Sequence, residues 1–223
     1  MVNAPSILMS MRSYAQYCGL AKALDVVGDR WTLLIVRELL IAGPCRYTDL
    51  LNGLPGIATN LLSDRLTQLE AAGLIRQAVA PPVATTLYRL TPRGEELREV
   101  IRALGRWAGP LLGQRLRSDT FRGHWLALPL ELYLADRTPQ RAPIAIEVRS
   151  GGEILVLETN LGGIRTRPGP ADRPDAVLSG PPELVLGVLL GRIDLAAGRS
   201  RGLQFEGDPK VLGRLRPARE VKT

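Results

Sequence analysis

Thr59, Asn60, Ser63 and Thr67 are short side chains that both donate and accept hydrogen bonds. They are interleaved with Leu62, Leu66 and Leu69, whose spacings of four and three form one buried helical stripe. The polar group is thereby left on outer faces, suited to base edges or to phosphate oxygens. Arg65, on the same segment, carries a guanidinium that fits a phosphate or a guanine. Other chemistry is poorly supplied. His124 is the single histidine, and Cys18 and Cys45 are the only cysteines, so neither a disulfide framework nor a zinc motif is expected. A lone histidine also argues against Ser-His or Cys-His catalysis. We expect no catalytic residue, no metal and no cofactor; the chemistry on offer is binding.

The elements around this segment decide what it binds. "YCGLAKALDVVG" places Leu20, Ala23, Leu24 and Val27 at helical spacing. "DRWTLLIVRELLIAG" is apolar on most sides and reads as a central core helix, with Asp29 as its candidate cap and Gly43-Pro44 as its stop. "RYTDLLNGLPG" is a short third helix, and the Thr59–Thr67 segment is a fourth that ends at Gly73. "LIRQAV" and "TLYRL" then read as a hairpin around "APPVAT". Thr91 caps a further helix, with Pro92 at its first position and acidic residues in its first turn. The last three of these helices, the hairpin and a helix in that order make a winged helix-turn-helix. In such a unit the second helix of the motif enters the major groove of duplex DNA. Arg46 before the third helix, and Thr85 and Thr86 on the wing, join Thr59, Asn60, Ser63, Arg65 and Thr67 as candidate DNA contacts.

Composition agrees with this reading. The net charge is +7, and residues 1–117 carry 14 basic against 9 acidic residues. An Arg-rich surplus in that half suits an anionic partner. Apolar runs such as Leu184–Leu190 fall well short of the roughly 20 residues that span a bilayer, and the N-terminal stretch lacks a signal-peptide pattern. We therefore expect a cytoplasmic protein with no membrane partner. Beyond residues 113–120, turn-forming clusters ("TPQRAP", "SGG", "LGG", "RPGPADRP") separate short β-branched runs. That change of texture predicts two domains, 1–117 and 118–223.

The landmarks in the first domain carry a specific resemblance. A Cys before the first core helix, "DRWTLLI", "RYTDL", "GI…L…RL…LE…GLI", the Pro-Pro wing and "LTPRG" together resemble the HxlR family of bacterial winged-helix regulators. This similarity covers about residues 14–112. It implies a homodimer whose terminal helices form the interface and whose paired recognition helices enter successive major grooves. Ala58 replaces the usual Ser before the recognition helix, a loss of N-capping that costs roughly 1 kcal/mol. Some relatives use a Cys near position 18 as a redox or electrophile sensor. For Cys18 that role stands beside the plainer reading of a buried, inert thiol.

The second domain is similar to sterol-carrier-protein-type lipid-binding domains over about residues 120–217. The likeness rests on a helix from Pro181–Glu183, the "GRIDL" turn, the strand "GLQFEGD" and a last helix "PKVLGRL". Upstream, "IAIEVRSGGEILVLETN" reads as a hairpin turning at Ser150-Gly151-Gly152, after an apolar helix interrupted by Pro129. The expected class is α+β, a winged helix-turn-helix followed by a sterol-carrier-like α/β domain with a mostly antiparallel sheet. The resemblance implies an apolar cavity, for which Trp125, Leu132, Tyr133, Leu184, Val188 and Leu189 are candidate lining residues; an ordinary packed core is the competing reading. The functional expectation is a DNA-binding regulator responsive to an apolar or lipid-like molecule. Two alternatives stand beside it: a regulator whose second domain only builds the dimer, and a lipid carrier or enzyme-like binder with a helical interaction domain.

Overall fold

The first helix, α1, runs over Gly19–Val27, directly after Cys18. Its spacing predicts a buried Leu20–Leu24 stripe, yet those residues are 69% and 40% exposed, and Ala21 is the residue that is buried. Ala21 is its one fully covered residue, Val26 and Val27 are half-buried, and Leu20 and Leu24 stay largely open among the described residues. The computed structural model describes residues 13–80, 85–112 and 118–218.

Helix α2 (Thr32–Ala42) is the central helix that its all-round apolar pattern predicts, with Ile35, Val36 and Leu39 buried. Asp29 does not cap it. The cap position belongs to Trp31, held at a left-handed φ of 81°, and the Asp29 carboxylate pairs with Arg65. Helices α3 (Tyr47–Gly53) and α4 (Thr59–Ala71) follow. Strands β1 (Ile75–Ala80) and β2 (Thr85–Leu90) then pair antiparallel from Ile75–Leu90 to Ala80–Thr85. The Pro81-Pro82 tip lies outside the described residues. Thr91 caps as expected: its Oγ1 accepts the Gly94 N–H at 3.1 Å and donates to the Gly73 carbonyl at 2.7 Å. The helix behind it is divided at Glu96 into α5 (Pro92–Glu95) and α6 (Leu97–Ala108).

The chain forms two compact units, Met1–Ile101 and Arg102–Thr223. The division falls inside α6, whereas the expected boundary at Arg117 lies outside the described residues. Contacts explain the earlier division. Arg102 pairs with Glu131 at 3.4 Å, and the Tyr133 hydroxyl donates to the Gly105 carbonyl at 3.3 Å.

In the second unit a 3-10 turn at Gly123–Leu126 leads into α7 (Ala127–Tyr133). Pro129 does not interrupt it. It stands third in the helix, within the first turn, where a backbone N–H has no intrahelical partner to lose. Strand β3 (Leu134–Asp136) comes next. The main sheet holds β4 (Ala145–Ser150), β5 (Glu153–Asn160), β6 (Gly163–Pro168), β7 (Ala176–Ser179) and β8 (Gln204–Gly207). Their spatial order is β6-β5-β4-β7-β8, antiparallel except for the parallel β4–β7 pair. The predicted Ser150-Gly151-Gly152 turn joins β4 to β5, with Gly151 and Gly152 at φ 62° and 78°, a region open to glycine. Helices α8 (Pro182–Leu189) and α9 (Leu195–Ser200) lie between β7 and β8. The expected final helix is a 3-10 segment, Pro209–Arg214, followed by β9 (Leu215–Pro217), which pairs back with β3.

Ile146, Val148, Leu155, Leu157 and Leu178 of the sheet pack with Leu126, Leu130, Leu184 and Val185 in one apolar core. Alternation in "AIEVR" predicts an exposed Glu147, but this residue is 2% exposed. Its carboxylate accepts the Ala171 N–H at 2.9 Å and Arg149 Nε at 2.7 Å. The Ala171 N–H, against the opposing effect of burial, and the Arg149 guanidinium hold the carboxyl below its ordinary range. A buried carboxylate of this kind stays charged because its hydrogen bonds replace water.

Candidate nucleic-acid interface

Leu62, Leu66 and Leu69 are all but fully buried, and they fix the rotation of α4 about its axis. Thr59, Asn60, Ser63 and Thr67 are exposed in consequence. Ala58 gives α4 no side-chain cap, as the sequence predicts. A different residue steadies this end. Tyr47, the first residue of α3, donates its hydroxyl to the Thr59 carbonyl at 2.8 Å, and Ser63 Oγ donates to the Tyr47 hydroxyl at 3.4 Å. Tyr47 thus ties the two helices of the helix-turn-helix at the first turn of α4. Sequence reasoning passed over Tyr47; the aromatic one residue after Arg46, at the start of a short helix, was the available signal.

Arg65 departs from the expectation. Its Nη1 pairs with the Asp29 carboxylate and the Gln68 carbonyl oxygen, and its side chain is only 15% exposed. One position before Leu66, it lies on the flank of the helix where Asp29 can reach it. It braces α4 against the turn before α2 and is not offered outward. Thr67 also has a commitment: its hydroxyl donates to the Ser63 carbonyl at 3.0 Å, leaving its acceptor lone pairs and methyl outward.

Arg46 is exposed, and the Asp49 carboxylate receives its backbone N–H at 2.9 Å. The neighbouring Cys45 exchanges two backbone hydrogen bonds with Tyr88, at 3.0 and 2.8 Å, so the start of α3 is pinned to β2 of the wing. On the wing, Thr86 is exposed and Thr85 half-buried, opposite Val79 and Ala80. Glu70 at the end of α4 accepts from the Gln77 backbone at 3.2 Å and side chain at 2.8 Å. This clamp between recognition helix and wing also went unread in the sequence. Arg76 on β1 adds an exposed cation. The geometry suits binding, with an exposed polar helix face and exposed cations at Arg46, before α3, and Arg76, on β1.

Cys18 is exposed, which corrects the expectation of a buried thiol. The Ala21 and Leu20 N–H groups at the start of α1 hold its pKa below the usual thiol value. Lys22, four residues on from Cys18, is paired with Asp25 at 3.7 Å. Cys45 is the buried thiol, pushed up to about 11 by desolvation, then by the Asp49 and Glu38 carboxylates.

The six candidate lining residues of the second unit have different surroundings. Leu184, Val188 and Leu189 are buried members of the apolar core. Trp125 is half-buried and edge-on to Phe121 and His124, with centroids 6.5 and 6.0 Å away. Leu132 lies against Gly105, where an added methyl would meet its Cδ1 at 3.2 Å, and Tyr133 reaches the same turn. A methyl on Gly187 would come within 2.5 Å of Ile193, so that glycine lets the "GRIDL" segment close onto α8. Among the described residues, no group of three or more His, Cys, Asp or Glu gathers to hold a metal, and no helix is long and apolar enough to cross a membrane.

The chain matches the HxlR-like helix-turn-helix model over residues 26–115. It is 36% identical over 98 residues to the HTH-type transcriptional regulator sll1512 of Synechocystis, covering 44% of this chain and 72% of that protein. It is 34% identical over 88 residues to YvaP of Bacillus subtilis, covering 39% and 81%. Among solved structures, the reduced form of the transcriptional regulator YodB from B. subtilis is 28% identical, with 44% of this chain and 97% of that one covered and a TM-score of 0.38. The chain belongs to the HxlR-like helix-turn-helix family.

Proposed function

We propose that this protein regulates transcription from the cytoplasm by binding a palindromic DNA operator as a homodimer. One α4 from each copy enters each of two successive major grooves. Thr59, Asn60, Ser63 and Thr67 meet base edges or nearby phosphates, Arg46 holds a phosphate, and Thr85 and Thr86 lie along the backbone beside the wing. The observation that carries this reading is the α4 face itself, exposed and polar above a fully buried Leu62–Leu66–Leu69 stripe. The homodimer is supported by apolar groups left open on α1 and α6, among them Leu20, Val100, Leu104 and Trp107. The names of the relatives, transcriptional regulators in each case, support the regulatory role.

For the second unit the reading is a sterol-carrier-like domain that takes an apolar small-molecule effector. It is supported by the β6-β5-β4-β7-β8 order with apolar α8 packed on it. The effector alters operator affinity to the extent that it binds the DNA-competent and incompetent states unequally. Cys18, exposed and acidified, is a second point at which chemical change reaches the first unit.

Selection of bound duplexes from a random pool tests the core of the proposal. The expected result is a palindrome with half-sites about one helical turn apart, and binding that weakens steeply with salt. Asn60→Ala relaxes base preference at one position, while Arg46→Ala weakens all sequences alike. Enrichment of no sequence at all sinks the reading.

A further inference from the structure

The outer face of α4 contains one residue of another kind. At about 100° per residue, Asp64 falls opposite Leu62 and Leu66, about 40° beyond Asn60, at the edge of the exposed polar face. It is exposed and makes no hydrogen bond or ion pair with another described residue. The carboxylates around it are engaged: Asp29 with Arg65, Asp49 with the Arg46 N–H, and Glu70 with Gln77. Arg65, its neighbour in sequence, is turned away to Asp29 and Gln68 and does not neutralise it. An otherwise neutral hydrogen-bonding face therefore carries, at its edge beside Asn60, a negative charge that no described residue compensates.

Against a phosphate that charge is repulsive, and against DNA it is tolerated where it meets a donor. The major groove presents two exocyclic amino donors, cytosine N4 and adenine N6. Adenine sets its amino group beside the acceptor N7, which an amide such as Asn60 bonds and a carboxylate cannot. Cytosine offers the donor without that demand. We propose that Asp64 reads a cytosine in each operator half-site, accepting a hydrogen bond from its N4 amino group. The inference rests on the reading of α4 as the recognition helix. Four residues of helix advance about 6 Å, and one base step is about 3.4 Å, so this cytosine lies about two pairs from the base met by Asn60.

Sequencing of duplexes selected by the full chain, by Asp64→Asn and by Asp64→Ala tests it, with Asn60→Ala marking the reference position. The wild-type motif is expected to hold a C·G pair there. Asp64→Ala should flatten that one position by about tenfold, within the range of a single mismatched pair. Asp64→Asn should move its preference toward A·T, because an amide pairs with adenine. Both variants should keep the wild-type circular dichroism, since the side chain makes no internal contact. Unchanged motifs in both variants, with affinity for every duplex raised by a common factor, would overturn the proposal and leave Asp64 as a solvated charge. A wild-type protein that enriches no motif overturns the recognition-helix reading, and this inference with it; the two failures are therefore told apart by the wild-type selection alone.

Discussion

Helix α8 buries Leu184, Val185, Val188 and Leu189 against the sheet, whereas α6 leaves Val100, Leu104 and Trp107 between 44% and 73% exposed. Both segments are rich in apolar residues at helical spacing, and in sequence both announce a side that must leave water. The spacing does not say what covers it. For α8 the cover is β4, α9 and the 3-10 turn before α7. For α6 the described residues supply cover for Ile101 and little beyond it. An apolar stripe thus states a demand, and only the rest of the chain decides whether that demand is met within one molecule.

Substitutions on each helix separate the two cases. Trp107→Asp should have the largest effect: a dimer weakened at least about 30-fold, with helix content kept in the resulting monomers. Sedimentation or light scattering at micromolar concentration reads it, and a wild-type protein already monomeric there would remove the contrast. Next is Leu184→Ala, which truncates a buried side chain and should cost about 3 kcal/mol in denaturant unfolding. The matched change Leu104→Ala should cost well under about 1 kcal/mol when unfolding is measured on monomers. Equal losses would mean that α6 is as fully covered within the chain as α8.

The smallest effect contrasts the two thiols. Cys18 is exposed with its pKa lowered by the backbone N–H groups that open α1, while Cys45 is buried and pushed up to about 11. At neutral pH a thiolate-selective alkylating agent should therefore modify Cys18 and leave Cys45 intact in the folded protein. Peptide mass spectrometry after brief treatment distinguishes them, and equal labelling would contradict the assigned environments.

Much of the first unit was legible because local signals agree there. Leu62, Leu66 and Leu69 set the rotation of α4, and Thr91-Pro92 set a helix start. What escaped reading depends on residues far apart in sequence. Arg65 is a plausible phosphate ligand by type, but Asp29 captures it from 36 positions away. Glu147 sits at an outward position of its strand, yet the Ala171 segment covers it. Tyr47 and Glu70, the clamps on either end of α4, act through a carbonyl and a backbone N–H that no residue type announces. In the second unit, elements such as the β4–β5 hairpin and α8 were readable. Sequence alone does not separate a cavity lining from a packed core at the candidate residues, because size and hydropathy are the same in a filled core and around a ligand.

The pairing of β3 with β9 has a consequence in time. Ala135 finds its partner in Arg216, and Asp136 is clasped by Arg214 at 2.7 Å, 78 positions further along the chain. The hairpin and short helical contacts of the first unit close over much smaller separations, and local contacts form sooner than distant ones. During synthesis the first unit can therefore settle while β3 is still an open edge. Its partner strand arrives only when the ribosome has released the segment around Leu215, so a stall before it leaves Leu134–Asp136 without its pairing strand and free to seek one elsewhere.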